Sequence, residues 1–146
     1  MSIVPFAKSW IPSKRFRIGN YVCIVFTDCE NLGTNRENIH VMWVWKRDSG
    51  SRPCFAVAAS VDASLKRLID LGEAISPSCM LRVFPCDGKT KHIDMSSSAD
   101  WINLDKFTQQ ALFLCREYLS LTEPVQELQL AAGSKKRMSF FNNIPE

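Results

Sequence analysis

The residues of this chain that are best suited to chemistry are its cysteines and histidines. The sequence contains six cysteines and two histidines. Thiolate and imidazole groups bind zinc, and a cysteine paired with a histidine can act as a nucleophile. The cysteines are Cys23, Cys29, Cys54, Cys79, Cys86 and Cys115.

The spacing of these residues does not predict a metal site. No two cysteines are separated by only two residues, so the paired spacing typical of structural zinc sites is missing. Cys79, Cys86 and His92 are near each other in sequence, but a closed zinc site needs four ligands. Cys79 and Cys86 also differ in parity, so a strand would direct them to opposite faces. We expect no metal and no cofactor.

A catalytic thiol is the basis of one alternative interpretation, that the protein is a small enzyme. Three of the cysteines stand in apolar runs: Cys23, Cys54 and Cys115. Thiols in such runs are expected to be buried and inert. Cys29 and Cys86 stand at strand ends, where a reactive thiol is more plausible, with His40 or His92 as partners. The chain has no glycine-flanked serine and no glycine-rich phosphate loop. The sequence therefore favours a protein that is not an enzyme.

Composition and the N-terminal residues predict a single cytoplasmic domain. The chain has 146 residues, 46% of them hydrophobic and 23% charged, which is enough for one self-sufficient core over residues 1–146. Pro5, Lys8 and Pro12 interrupt the N-terminal region, so no secretory signal is expected. No run of about 18 apolar residues is present to cross a membrane. We expect reduced cysteines in a cytoplasmic protein.

Basic clusters suggest a further alternative, weak binding of single-stranded nucleic acid. The clusters are Ser13–Arg17, Lys46, Arg47 and Arg52 in the first hairpin, and Lys135–Arg137. Aromatic side chains beside lysine and arginine can stack unpaired bases. However, the net charge is only +3, and acidic residues lie among the basic ones. Nucleic-acid binding is therefore not the main prediction.

The periodicity of apolar residues predicts a single α+β domain. Residues 1–18 are expected to be irregular, and residues 134–146 to form a basic, aromatic tail. The predicted elements are a strand at Asn20–Asp28, a hairpin of His40–Lys46 with Pro53–Val61, a helix at Asp62–Ile75, a hairpin at Cys79–Met95, a helix capped by Asn103, and a short helix from Pro124 to Gly133. Residues 96–100 are expected to be a loop. The order β-β-β-α-β-β-α-α predicts a mostly antiparallel five-stranded sheet with helices packed on one face.

The first hairpin carries the main functional prediction, because its register decides which side chains are neighbours. A three-residue turn with Gly50 in the left-handed region places Trp43 opposite Phe55, and this register is favoured. A two-residue turn at Ser49 and Gly50 would instead place Trp43 opposite Ala56. The favoured register predicts a bulky sheet face, which comprises Val41, Trp43, Trp45, Phe55 and Val57.

That bulky face is expected to need a cover that the helices cannot provide. Two helices are needed on one face of a five-stranded sheet, and an open patch of this size is rare in monomers. The chain's own ends could cover it, through Phe6 and Trp10 or through Phe140 and Phe141. Alternatively, a second copy or an apolar small molecule could cover it. The prediction is a binding or interaction module, homodimeric or ligand-binding through this face. The alternative enzyme would act on an apolar small molecule in a pocket there.

Overall fold

The strands of this chain pair in one antiparallel sheet. The computed structural model describes residues 10–28, 40–48, 50, 52–59, 78–87, 93–100 and 102–130. The strands are β1 (Trp10–Ile18), β2 (Tyr21–Asp28), β3 (His40–Lys46), β4 (Phe55–Ala59), β5 (Ser78–Pro85), β6 (Ile93–Asp100) and β7 (Val125–Leu128), and helix α1 spans Leu104–Leu119. The sheet order is β6-β5-β4-β3-β2-β1-β7. Strands β1 to β6 are therefore neighbours in sequence order, and β7 adds to the outer edge of β1.

The antiparallel α+β architecture is confirmed, but the predicted number of strands is wrong. The described part of the chain forms seven strands rather than five. One of the additional strands is β1, which lies within the segment predicted to be irregular. Pro12 argued against a helix there, but it does not exclude a strand, because proline is tolerated beside a bulge. The register of β1 against β2 does shift between Pro12 and Lys14.

The second additional strand, β7, replaces the short helix predicted from Pro124. Thr122 and Pro124 carry good helix-start signals, but Val125–Leu128 pair with Ile18–Arg15 at the edge of β1. The backbone groups of β1 gain partners from this pairing, and that tertiary gain outweighs the local preference. Strand β6 is likewise longer than predicted, because the expected loop at residues 96–100 pairs with β5 from Ser78 to Leu81.

Helix α1 follows its sequence signals closely. The Asn103 side chain accepts a hydrogen bond from the Lys106 N–H, as expected of a helix N-cap. Phe107, Ala111 and Leu114 are buried against the sheet. The other predicted helix, Asp62–Ile75, and the tail at 134–146 lie outside the described residues.

The register of β3 against β4 differs from the favoured prediction. Trp43 pairs with Ala56, and Val44 pairs with Phe55, so the placement of Trp43 opposite Phe55 is wrong and the alternative is right. Gly50 does have a positive φ of 83°. Strand β3 ends at Lys46 and β4 begins at Phe55. The predicted turn includes Ser49, which lies outside the described residues. The Cys54 N–H also donates to the Val44 carbonyl, so Cys54 and Phe55 together oppose Val44 at the start of β4.

This register produces two apolar sheet faces, and both are buried. The helix face is the side on which α1 packs, and its strand residues include Phe16, Ile18, Cys23, Val25, Met42, Val44, Phe55, Val57, Leu81 and Val83. The tryptophan face is the opposite side, formed by Trp10, Val22, Ile24, Phe26, Val41, Trp43, Trp45, Ala56 and Ala58. Trp43 is 7% exposed and Trp45 is 3% exposed in the single chain. The tryptophan face is therefore part of the core, and Trp10, one of the residues expected to cover it, packs there within the single chain.

Among the described residues, no helix has the length and apolar character needed to cross a membrane.

We expect Trp43→Ala to lower the free energy of unfolding by about 3–5 kcal/mol, because it removes a large buried ring and leaves a cavity. Met80→Ala is the matched control. Met80 is 43% exposed, so its truncation should change the free energy by no more than about 0.5 kcal/mol. Urea denaturation of the purified variants measures both values, and a Trp43→Ala variant as stable as the control would show that this face is open.

Candidate functional site

The five residues predicted to form one site lie on opposite sides of the sheet. Val41, Trp43 and Trp45 belong to the tryptophan face. Phe55 and Val57 belong to the helix face, where the Phe55 ring meets Tyr118 of α1 edge-on with 4.8 Å between centroids. All five are buried. The structure therefore does not bring them together as a surface for a partner.

Two of the three cysteines predicted to be buried, Cys23 and Cys115, are buried, whereas Cys54 is only partly buried. Cys23 on β2 and Cys115 on α1 are fully buried, and their sulfur atoms are 3.9 Å apart. The hydrogen bond with Cys115, followed by burial, raises the pKa of the Cys23 thiol well above its usual value. Such a thiol stays protonated and is a poor nucleophile. The four cysteines whose side chains are described, Cys23, Cys54, Cys86 and Cys115, are all free.

Cys86 is exposed, but its electrostatic environment is unfavourable for catalysis. Although the residue as a whole is exposed, its thiol is partly buried. This partial burial, followed by the proximity of Cys54 and Asp87, raises the pKa of the thiol to about 11, although Arg52 opposes the shift. At pH 7 only about one molecule in ten thousand would carry the reactive thiolate. The other reactive candidate, Cys29, lies outside the described residues, as does His92.

His40 takes part in a hydrogen-bond chain that anchors α1 to the sheet. Its Nε2 lies 2.5 Å from the Ile102 carbonyl, and its Nδ1 lies 3.0 Å from Thr27 Oγ1. Because a carbonyl only accepts, Nε2 must donate, and Nδ1 then accepts from the Thr27 hydroxyl. Thr27 in turn accepts from the Ser13 hydroxyl at 2.6 Å. His40 is 1% exposed, so this arrangement makes it a structural residue.

Metal and nucleic-acid sites find little support in the described ranges. No group of three or more His, Cys, Asp or Glu side chains there is arranged to hold a metal ion. Base stacking requires exposed rings. Trp43 and Trp45 are buried, so the exposed Lys46 and Arg52 have no accessible tryptophan of this face beside them.

The described surface has a different aromatic feature, on α1. Phe113 is 53% exposed. It lines a groove of about 770 Å³ between α1 and β7, whose described walls are Gln109, Gln110, Leu112, Phe113, Arg116 and Val125. We call this the interaction groove. Phe113 and Arg116 also border a second groove of about 410 Å³ at the end of the helix. The Phe113 ring therefore protrudes between two concave surfaces.

The end of α1 positions β7 beside this groove. Ser120 adopts a left-handed conformation with φ 53° and ψ 44°. Its N–H donates to the Glu117 carbonyl, and the Leu121 N–H donates to the Arg116 carbonyl. This pair of bonds is a Schellman motif with serine in the position that glycine usually takes. The chain then turns and runs back along β1 as β7.

Strand β7 is the last strand at its end of the sheet. It pairs with β1 through four residues, Val125–Leu128. Backbone groups alternate in direction along a strand, so part of those of β7 point away from β1. Such an edge accepts an additional strand unless it is protected. The edge therefore offers backbone hydrogen-bonding groups next to the apolar wall of the groove.

Two opposite charges lie on this surface without ion-pair partners in the described part of the chain. Arg116 borders the interaction groove, and Glu127 lies on β7. The ion pair that the structure does contain here joins Lys14 to Asp105 at 3.1 Å.

Phe113, Leu112, Arg116 and Val125 are absent from the sequence prediction. The apolar residues of α1 that recur at intervals of three and four predict one buried stripe, which comprises Leu104, Phe107, Ala111, Leu114, Cys115 and Tyr118. Phe113 lies outside this stripe, on the far side of the helix at 100° per residue. An aromatic residue in that position is the signal that could have indicated an exposed apolar group.

No known protein family, curated protein or solved structure matches this chain.

We expect Thr27→Val to lower the free energy of unfolding by about 1–3 kcal/mol, because it removes one buried and one partly buried hydrogen bond. Thr108→Val is the matched control. Thr108 is buried to the same degree, with 5% exposure, but its hydroxyl has no hydrogen-bond partner among the described residues. The control should therefore be neutral. Equal losses in urea denaturation would contradict the His40 chain.

We expect the alkylation rate of Cys86 to rise about tenfold per pH unit from pH 7 to pH 10 without levelling, because its pKa is about 11. Peptide-resolved mass spectrometry after iodoacetamide treatment measures the rate at this residue alone. An unstructured peptide with one cysteine should level near pH 8.5. Levelling of Cys86 at that pH would show that the folded chain does not suppress its thiolate.

Proposed function

We propose that this protein is a binding module that takes another polypeptide into the interaction groove. The observation that carries the proposal is the exposure of Phe113 beside β7, which is an edge strand of the sheet that the described residues form. The tryptophan face, from which the sequence predicted binding, is buried, so the proposed surface moves to the opposite end of the sheet and to α1.

The apolar wall supplies affinity. Covering the exposed half of the Phe113 ring would contribute about 1 kcal/mol, and the half-buried Leu112 and Val125 would add to it. Aromatic side chains in the centre of a contact are the residues that most often dominate binding.

The edge of β7 sets the orientation of the bound segment. An extended segment that adds to a sheet edge forms backbone hydrogen bonds independent of its sequence, and its alternate side chains face the groove. Arg116 adds a preference for an acidic side chain in the segment, since it has no acidic partner in the described part of the chain.

We also propose a cytoplasmic location for this module. The free state of Cys23, Cys54, Cys86 and Cys115 supports it, because unpaired cysteines are typical of proteins in reducing compartments.

A displayed peptide library tests the proposal. The full chain is immobilised at low density, which keeps its copies apart. We expect it to select extended peptides with alternating apolar residues and at least one acidic residue. Phe113→Gln should weaken these peptides at least about tenfold, because it replaces the ring with a polar side chain that suits a helix equally well.

Met80→Gln is the matched control, because it removes the other large apolar side chain that is exposed among the described residues. It should bind the same peptides as the unchanged chain. Failure of a monomeric chain to select any peptide, or equal binding by Phe113→Gln, would reject the groove as a polypeptide site.

A further inference from the structure

We infer that the polypeptide held by the interaction groove is a second copy of this chain, joined through antiparallel pairing of two β7 strands. This inference rests on the proposed function and names its partner. It retains the homodimer expected from the sequence but moves the interface from the tryptophan face to the edge of the sheet.

The first support is that the surface complements itself. A two-fold interface places the same patch of both copies in contact, so every feature must find its complement within that patch. Here a protruding ring, Phe113, lies beside concave grooves, and the surface carries a cation, Arg116, and an anion, Glu127, that have no ion-pair partner among the described residues. The open strand edge is complementary to itself as well. A short peptide would contact only about half of these features, so its binding would not require the patch to complement itself.

The second support is the register that the two-fold axis allows. Two antiparallel edge strands are related by an axis perpendicular to the sheet, so both copies keep α1 on the same side. A residue on the axis then faces its own copy. Centring the axis on Glu127 would oppose two like charges, which is destabilising, whereas centring it on Gln126 opposes two neutral amides. The Gln126-centred register is therefore favoured.

The third support is what this register does with the charges. It places Val125 opposite Glu127 of the partner subunit. Val125 pairs with Ile18, and Glu127 pairs with Phe16, so both β7 side chains share the helix face. Arg116 borders the same groove as Val125. The favoured register therefore brings the carboxylate of each copy to the groove that holds the guanidinium of the other. The same register thus pairs the backbone groups of the two β7 strands and brings the opposite charges of the two copies together.

Sedimentation equilibrium of the full chain tests the inference between about 1 and 500 µM, a range that covers interfaces of modest size. We expect the unchanged chain to reach twice its mass of 16.6 kDa. Phe113→Gln should raise the dissociation constant at least about tenfold, and Met80→Gln should not change it.

Charge reversal tests the register. Arg116→Glu and Glu127→Arg should each weaken the dimer, and the double variant should recover most of the lost affinity, because the pair is restored with its signs exchanged. Circular dichroism confirms that each variant is folded. Single reversals without effect, or a double variant weaker than both, would overturn the proposed pairing.

The outcomes separate this inference from the proposed function. A chain that stays monomeric to about 500 µM but selects peptides at the groove overturns the dimer and leaves the binding module intact. A dimer insensitive to Phe113→Gln places the interface elsewhere and overturns the inference. A monomer that selects no peptides overturns both.

Discussion

The register of β3 against β4 is the constraint on which the rest of the structure depends. Side chains alternate between the faces of a sheet, so a slip of one residue moves every side chain of a strand to the other side. Pairing Trp43 with Ala56 sends Phe55 and Val57 beneath α1 and leaves Trp43 and Trp45 on the opposite face. Each face then receives a continuous apolar layer.

The consequence is a sheet whose two faces both belong to the core. Strand β2 is buried at seven consecutive positions, Val22–Asp28, which is typical of a strand covered on both sides. The side chains best suited to chemistry, including Cys23, Cys115 and His40, lie within these layers and contribute to packing and hydrogen bonding. The proposed binding surface therefore lies at the rim of the sheet, in the groove that α1 and β7 both line.

The connection between α1 and β7 links the fold to that rim. The left-handed Ser120 ends the helix, and the four paired residues of β7 complete the sheet beside β1. A helix and an edge strand joined in this way enclose a groove with an apolar wall on one side and backbone groups on the other. Among the described strands, β6 and β7 are the two edges of the sheet, and β7 is the edge whose backbone groups lie beside the groove.

The sequence alone determined those features that depend on local pattern. It indicated the antiparallel α+β class, strands β2 and β3, the Asn103 cap, the buried stripe of α1 and the burial of Cys23 and Cys115, because periodicity and capping act within a few residues. Only the tertiary structure decided the rest. Strands β1 and β7 exist because distant segments supply their hydrogen bonds, which outweigh the helix signals around Pro124. The division of the aromatic residues between two faces followed from the register of β3 against β4, which local turn preferences do not reveal. Phe113 is exposed because the sheet lies on the other side of α1. The groove beside it depends also on β7, a strand that the sequence pattern did not predict.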